Sequence, residues 1–203
     1  MPMFAAIILA AGASERMGYP KALLPYRGRP FLTGIVEACY AAGVEKRVVV
    51  LGYYADKIQE EIDLSDLLVA LNADLETGPI GSIRAGLAAL APFPVDAILV
   101  WPVDRPHVAV ATIEALLDGF RSAHQPIVVP THDGKRGHPV LFGRPVFAEL
   151  LGAPDDEGAR AVVHKDPARV TEIPVDDPAV LEDFNTPDDY KKLLRKEDEV
   201  RGD

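Results

Sequence analysis

The chain has 203 residues, 48% of them hydrophobic, which is enough to bury one large core, and we expect a single domain. Its formal net charge of -10 argues against nucleic acid as a partner, because such binding draws on clustered Lys and Arg. A nucleotide is still compatible with this charge, since local cations, backbone amides and a metal ion can offset it.

The apolar N-terminal run, residues 3–11, predicts a buried strand rather than a membrane segment. It lacks a basic leader and is far shorter than the roughly 20 residues that span a bilayer. The single cysteine, Cys39, excludes an internal disulfide and lies in an apolar stretch typical of a buried, inert thiol. We therefore expect no membrane contact and a cytoplasmic location.

Short apolar runs rich in Val, Ile and Leu alternate along the chain with helical patterns bounded by Gly, Pro, Asp or Asn. The runs predict strands at residues 4–9, 47–51, 67–71, 97–101, 127–129 and 139–142. Helices are predicted at residues 31–42, 55–62, 82–90, 112–123, 145–151 and 158–164, and a last one begins at residue 188. We expect the domain to cover residues 1–196, with residues 197–203 as a frayed tail.

The alternation of strand and helix predicts an α/β fold: one Rossmann-like domain with a mainly parallel sheet flanked by helices. In open parallel sheets the ligand crevice lies beyond the carboxyl ends of the strands. The residues that directly follow the strands are therefore the candidates for a functional site.

The first predicted strand ends in a glycine-rich loop, residues 11–18, which is followed by Lys21. Small residues let the backbone approach a phosphate chain, and the cations Arg16 and Lys21 suit a bent triphosphate. The spacing of Gly12 and Gly18 matches neither G-x-G-x-x-G nor G-x-x-x-x-G-K-[ST], so neither a dinucleotide fingerprint nor a P-loop is supported. The loop predicts a triphosphate cradle; an ordinary strand-to-helix turn with solvated cations is the alternative.

A second signal is Asp104, which follows the apolar run at residues 97–100. A carboxylate at the end of a strand, beside phosphates, is a ligand that Mg²⁺ prefers. An isolated Asp between strand and helix is more often a turn former or an N-cap. Because the glycine-rich loop is predicted at the same edge of the sheet, a metal site is the favoured interpretation.

The loop resembles a known family, the MobA-like nucleotidyltransferases, which include the molybdenum cofactor cytidylyltransferases and guanylyltransferases. Their motif L-A-A/G-G-x-S-x-R-M-G-x-x-K is met at every fixed position of residues 9–21. The resemblance implies a nucleotide-diphospho-sugar transferase-like fold. The Ala-Ala-Gly version resembles the cytidylyltransferase branch, which implies CTP rather than GTP, since the guanylyltransferase branch usually carries A-G-G. The nucleotide-binding residues implied here are Ala10, Ala11, Gly12, Ser14, Arg16 and Lys21.

Further segments carry the same resemblance. Residues 102–106 resemble the family's P-x-D-x-P motif, which implies Asp104 as a metal ligand. Residues 183–189 resemble D-[IV]-[DN]-T-P-x-D, which implies Asn185 as a second ligand; the alternative is that Asn185 or Thr186 caps the last helix.

Three segments are expected to border the nucleotide and its acceptor. Residues 72–87 resemble a family segment that contacts base and ribose, which implies Gly81 and Ser82 as nucleotide contacts, although a plain capped helix explains the pattern too. Residues 137–142 resemble G-[HNR]-P-V-L-[FI] on the acceptor side, where His138 contacts substrate or is structural. Residues 155–160 resemble G-D-x-G-A-R, or form an acidic helix start.

The resemblance implies transfer of CMP from CTP to the terminal phosphate of a molybdopterin-type cofactor, with release of pyrophosphate. Arg16, Lys21 and Asp104 would be catalytic, and Mg²⁺ would be the cofactor; the resemblance also allows a molybdoenzyme as a partner. Two alternatives stay open. One is a different acceptor, such as a sugar 1-phosphate, and the other is a non-catalytic maturation protein that holds nucleotide or molybdenum cofactor.

Overall fold

The computed structural model describes residues 1–123 and 125–201, and it describes side chains as far as residue 196. The strands are β1 (Phe4–Ala10), β2 (Pro25–Tyr26), β3 (Arg29–Pro30), β4 (Lys46–Leu51), β5 (Leu68–Leu71), β6 (Ala97–Pro102), β7 (Ile127–His132), β8 (Lys135–Arg136), β9 (Val140–Gly143) and β10 (Val170–Pro174). The helices are α1 (Phe31–Ala41), α2 (Ala55–Glu61), α3 (Gly78–Leu90), α4 (Val110–Ser122), α5 (Phe147–Leu151), α6 (Ala159–His164) and α7 (Pro187–Arg201).

The main sheet has the strand order β10-β7-β9-β6-β1-β4-β5. β1 pairs in parallel with β4 and β6, β4 with β5, and β7 with β10. β9 is antiparallel to both β6 and β7, β8 pairs antiparallel with β7, and β2 and β3 form a separate hairpin. The predicted fold, a mainly parallel sheet flanked by helices, is confirmed.

Strand β1 is buried on both faces, as its unbroken apolar run predicts. Ile8 belongs to a core shared with α1, α2 and α4, whereas Ile7 belongs to a core shared with α3, α5 and α6. Both side chains are fully buried. Burying each isoleucine stabilises the fold by about 2 kcal/mol, so the strand that carries the glycine-rich loop is held firmly in the middle of the sheet.

The main differences from the sequence predictions are one helix start and several strands that were not predicted. Helix α3 begins at Gly78 rather than at Ser82, because Pro79 starts a helix readily and needs no amide partner there. Strand β10 was not predicted, since it mixes polar and apolar residues and is only half-buried at the edge of the sheet. The hairpin of β2 and β3 was not predicted either, because each strand has only two residues.

The backbone of α7 is helical to Arg201, which is past residue 197, where the predicted tail begins. The last two residues of that tail, 202–203, lie outside the described residues. Among the helices that the structure describes, none combines the length and apolarity needed to cross a bilayer.

Candidate active site

A cleft of about 520 Å³ lies where β6, β1, β4 and β5 end. The carboxyl ends of these four strands meet at one edge because the strands are parallel to one another. The predicted site residues that line the cleft are Ala10, Ala11, Gly12, Ser14, Lys21, Ser82 and Asp104. Arg16, Gly81, His138 and Asn185 are not among the residues that line it.

The glycine-rich loop is a tight turn anchored at one buried side chain. The amides of Met17 and Gly18 both donate to the carbonyl of Ser14 at 2.9 Å, and Met17 is buried in the core. Ser14 and Gly18 have φ values of +50° and +69°, a backbone conformation that suits glycine best. Arg16 lies on this turn, is exposed, and makes no hydrogen bond or ion pair with another described residue.

Lys21 brings together three of the four predicted catalytic and metal positions, all except Arg16. Its ammonium lies 3.3 Å from Asp104 Oδ2 and donates to Asn185 Oδ1 at 2.6 Å. The side chains of Lys21 and Asp104 are only 14% and 21% exposed, so this ion pair is partly shielded from water. The ammonium lies between the carboxylate oxygen of Asp104 and the amide oxygen of Asn185. These two oxygens therefore already accommodate a positive charge.

Arg105 holds the C-terminal segment against the end of β6. Its guanidinium donates to the carbonyls of Val180 and Glu182, both at 2.9 Å. The amide of Phe184 donates to the backbone carbonyl of Asp104 at 3.1 Å. These three bonds place Asn185 beside Asp104 although the two residues are far apart in sequence.

The start of α7 shows which residue caps that helix. Thr186 Oγ accepts from the amide of Asp189 at 3.2 Å, and Asp189 Oδ2 accepts from the amide of Thr186 at 3.0 Å, which is a reciprocal capping box. The hydrogen bond from the Thr186 side chain is the largest cause that lowers the pKa of Asp189. Thr186 therefore provides the cap, while the side chain of Asn185 reaches Lys21.

Ser82 and Gly81 lie in the first turns of α3. The side-chain amide of Asn72 donates to Ser82 Oγ at 3.2 Å, and both residues are buried. A Cβ at Gly81 would overlap the Thr77 side chain and lie 3.1 Å from Asn72 Nδ2. Gly81 is thus needed for close packing behind the cleft, whereas Ser82 reaches its lining.

His138 lies at the same edge of the sheet as Asp104, because β9 begins next to the end of β6, with Val140 opposite Val100. Its amide donates to the Val180 carbonyl at 2.9 Å. Burial lowers the pKa of His138 to about 4, the positive charge of Arg105 adds to that effect, and the nearby carboxylates oppose it. At neutral pH the imidazole is therefore uncharged and brings no positive charge to this end of the site.

The partly buried imidazole of His138 makes the stability of the protein depend on pH. Its pKa falls from 6.5 to about 4 on folding, so the stabilisation is present above pH 6.5 and is lost as pH falls towards 4. Between pH 7 and pH 5 this group should cost about 2 kcal/mol of unfolding free energy. Urea unfolding at both pH values should show a smaller loss in His138→Gln than in the wild type. Equal losses in the two proteins would contradict this assignment.

The residues that line the cleft and were not predicted as site residues include two exposed, largely apolar side chains. Tyr53 and Leu75 line the cleft and are 62% and 41% exposed. Tyr53 comes two residues after the end of β4, so the rule that ligands bind beyond strand ends could have found it. Leu75 lies in a short turn after β5, where an apolar residue carries no such signal.

The match to a known family covers most of these elements. Residues 6–170 match the family described as MobA-like NTP transferase domain. The chain belongs to this family. The predicted resemblance is thereby confirmed, and the matched residues contain the glycine-rich loop and Asp104 but end before Asn185.

Individual relatives match over nearly the whole chain. The nicotine blue oxidoreductase of Paenarthrobacter nicotinovorans is 33% identical, over 96% of this chain and 98% of the relative. A probable molybdenum cofactor guanylyltransferase of Synechococcus elongatus is 32% identical, over 94% of this chain and 97% of the relative. The chain is thus a MobA-like nucleotidyltransferase related to molybdenum cofactor guanylyltransferase.

A solved structure shows the same fold. The crystal structure of Rv0371c from Mycobacterium tuberculosis is similar with a TM-score of 0.84 and 32% identity, over 96% of this chain and 98% of that one. A second crystal structure of that protein, in complex with manganese, has a TM-score of 0.79 and 31% identity, over 95% and 98% of the two chains.

Proposed function

We propose that this protein transfers CMP from CTP to the terminal phosphate of a molybdopterin-type cofactor and releases pyrophosphate. The observation that carries the proposal is the convergence of Lys21, Asp104 and Asn185 beside the glycine-rich loop. A cation and oxygen ligands beside a loop that can cradle phosphates are the groups that phosphoryl and nucleotidyl transfer require.

The order of the strands supports a proposal for which side of the cleft holds the nucleoside and which side holds the acceptor. The glycine-rich loop follows β1, Asp104 follows β6 on one side of β1, and β4 and β5 lie on the other side. A triphosphate on the loop would then extend its nucleoside towards β4 and β5, where Ser82 lines the cleft. The acceptor would approach from β6 and β9, the side on which His138 lies.

In the proposed reaction an oxygen of the acceptor phosphate forms a bond to the α-phosphorus of the nucleotide. The bond from that phosphorus to the oxygen bridging the α- and β-phosphates breaks, and pyrophosphate leaves with the bridging electron pair. No general base is needed, because the attacking phosphate is already ionised. The loop amides and Arg16 would hold the triphosphate, while Lys21 would offset the charge that grows on the leaving pyrophosphate.

The residues fit a divalent metal. The ammonium of Lys21 already lies between Asp104 Oδ2 and Asn185 Oδ1, so these oxygens can face a cation. Mg²⁺ is usually held by one or two carboxylates together with phosphate oxygens and water, a role that Asp104 and Asn185 would share with the nucleotide. When bound, Mg²⁺ would neutralise phosphate charge. The manganese complex of Rv0371c makes Mn²⁺ the other metal to test.

The choice of base rests on Ala11, since the Synechococcus relative is named as a guanylyltransferase and gives no support to CTP over GTP. Ala11 lines the cleft and is 5% exposed. A smaller residue there would make room for a purine. Ala11→Gly should raise the ratio of kcat/KM for GTP to that for CTP by about tenfold, as expected for one methyl group in a tight site.

The proposal is tested by pyrophosphate release with each of the four nucleoside triphosphates and purified molybdopterin cofactor. CTP should be the best substrate of the wild type, and Ala11→Gly should shift the preference towards GTP. Ala13→Gly is a matched control, because Ala13 lies on the same loop and also lines the cleft. A wild type that prefers GTP, or a ratio that is the same in both variants, would contradict the base assignment while leaving nucleotidyl transfer intact.

Two other functions give different results in the same assay. A sugar-phosphate nucleotidyltransferase would release pyrophosphate with sugar 1-phosphates and not with molybdopterin cofactor. The relative named nicotine blue oxidoreductase makes a reductase the second candidate. Such an enzyme needs an electron donor such as NADH or a reduced flavin, and would oxidise that donor without releasing pyrophosphate. The loop after β1 lacks the dinucleotide fingerprint, which counts against that function.

A further inference from the structure

Two large apolar side chains are exposed inside the cleft. Tyr53 is 62% exposed and Leu75 is 41% exposed, and both line the cleft. Leaving an aromatic ring and a leucine in water forgoes the free energy that their burial would give. A cleft that keeps both at one end is suited to a flat apolar ligand surface.

The backbone fixes both residues next to Ala11. The amide of Tyr53 donates to the Ala11 carbonyl at 3.1 Å. A Cβ added to Gly52 would lie 2.6 Å from Leu75 Cδ2 and 2.7 Å from the Ala11 oxygen, so Gly52 lets these chain segments approach closely. Tyr53 and Leu75 therefore border the part of the loop at which the proposed function places the base.

Each side chain is presented from a defined local structure. The ring of Tyr53 makes an edge contact with the ring of Tyr54, with centroids 4.9 Å apart and planes at 68°. Leu75 begins a short 3-10 turn that Asp74 caps, since its side chain accepts from the Glu76 amide at 3.2 Å. The ring contact packs Tyr53 against Tyr54, and the cap fixes the backbone from which Leu75 projects, which lowers the cost of ordering this end of the cleft when a ligand binds.

We propose that Tyr53 and Leu75 form a platform for the nucleobase, with the Tyr53 ring stacked on the base and Leu75 packed beside it. This inference rests on the proposed function, because β4 and β5 lie across β1 from Asp104 and so on the nucleoside side. Every base has an aromatic face, so the platform adds affinity for CTP and GTP alike. The choice between them stays with Ala11.

The test is calorimetric titration of the protein with CTP, GTP and inorganic tripolyphosphate. Tyr53→Ala should weaken the binding of both nucleotides by about tenfold and leave tripolyphosphate binding unchanged, since only the base loses a contact. Tyr53→Phe keeps the ring and should bind like the wild type. Tyr40→Ala is the matched control: Tyr40 is also an exposed tyrosine, at 73%, and does not line the cleft.

Three results would overturn the platform. Tyr53→Ala could bind the nucleotides as the wild type does, it could lose tripolyphosphate binding to the same degree, or the wild type could bind tripolyphosphate as tightly as CTP. A failure of the proposed reaction can be distinguished from a failure of the platform. If nucleotide binding depends on Tyr53 but no acceptor yields pyrophosphate, the platform stands and the proposed reaction does not.

Discussion

Replacing Asp104 by Asn should lower kcat for nucleotidyl transfer by about 10³-fold, because losing the carboxylate removes several kcal/mol of charge stabilisation at the metal and phosphates. The fold should remain intact. Phe184 is bound to the backbone carbonyl of Asp104 and not to its carboxylate, and the substituted side chain can still accept from Lys21. Steady-state pyrophosphate release and thermal unfolding of the same preparation measure the two effects.

Asp183→Asn is the matched control for this substitution. Asp183 is a nearby carboxylate that faces Arg105 at 3.7 Å and is half exposed. Its replacement should change kcat little, because an exposed ion pair contributes about 1 kcal/mol at most. Equal losses in the two variants would indicate a general electrostatic effect and contradict the role proposed for Asp104, as would full turnover in Asp104→Asn.

Replacing Lys21 by Met should lower kcat by about 10²-fold to 10³-fold and change the KM for nucleotide much less, since its charge would act mainly on the leaving pyrophosphate. Met keeps the length and most of the apolar stem of Lys but removes its charge. The measurement is kcat and KM for the nucleotide at saturating acceptor. A large rise in KM with unchanged kcat would instead mean that Lys21 only binds the triphosphate.

Lys21→Met should also change how the protein binds metal in the absence of substrates. In the wild type the ammonium lies against Asp104 and Asn185, the two residues proposed to hold the metal. Removing it should raise the affinity of the nucleotide-free protein for Mn²⁺, which paramagnetic resonance of the free ion measures. Lys57→Met is the control, because Lys57 lies near the loop over the ring of Tyr19 but does not contact those two residues. Weaker Mn²⁺ binding in Lys21→Met would contradict the shared use of these oxygens.

Local sequence patterns predicted the parts of the fold that depend on burial. β1 and β6, and β4 from Val48 onward, are continuous apolar runs because they are covered on both faces of the sheet. β10 lies at the edge of the sheet and carries Thr171 and Glu172 among its apolar residues, so no buried run marks it. Its pairing with β7 is decided by tertiary contacts, which local patterning does not encode.

The candidate site likewise has parts that the sequence predicted and parts that it did not. The glycine-rich loop and Asp104 each follow a predicted strand, so topology alone predicts that they share an edge. The contact between Lys21 and Asn185 spans 164 residues and was not predicted; only the resemblance to the family marked Asn185 as a site residue, as an implied metal ligand. The role of Arg105 in holding the C-terminal segment could not be predicted, because its partners are backbone carbonyls of Val180 and Glu182, which any sequence supplies.

The central claim, transfer of a nucleotidyl group, is tested most directly by single-turnover reactions with CTP labelled at either the α- or the γ-phosphate. We expect the α-label to move to the molybdopterin acceptor and the γ-label to appear in pyrophosphate in equal amount, and we expect Asp104→Asn to form neither product at a comparable rate. Release of γ-labelled orthophosphate, or loss of the CTP without label on the acceptor, would contradict it.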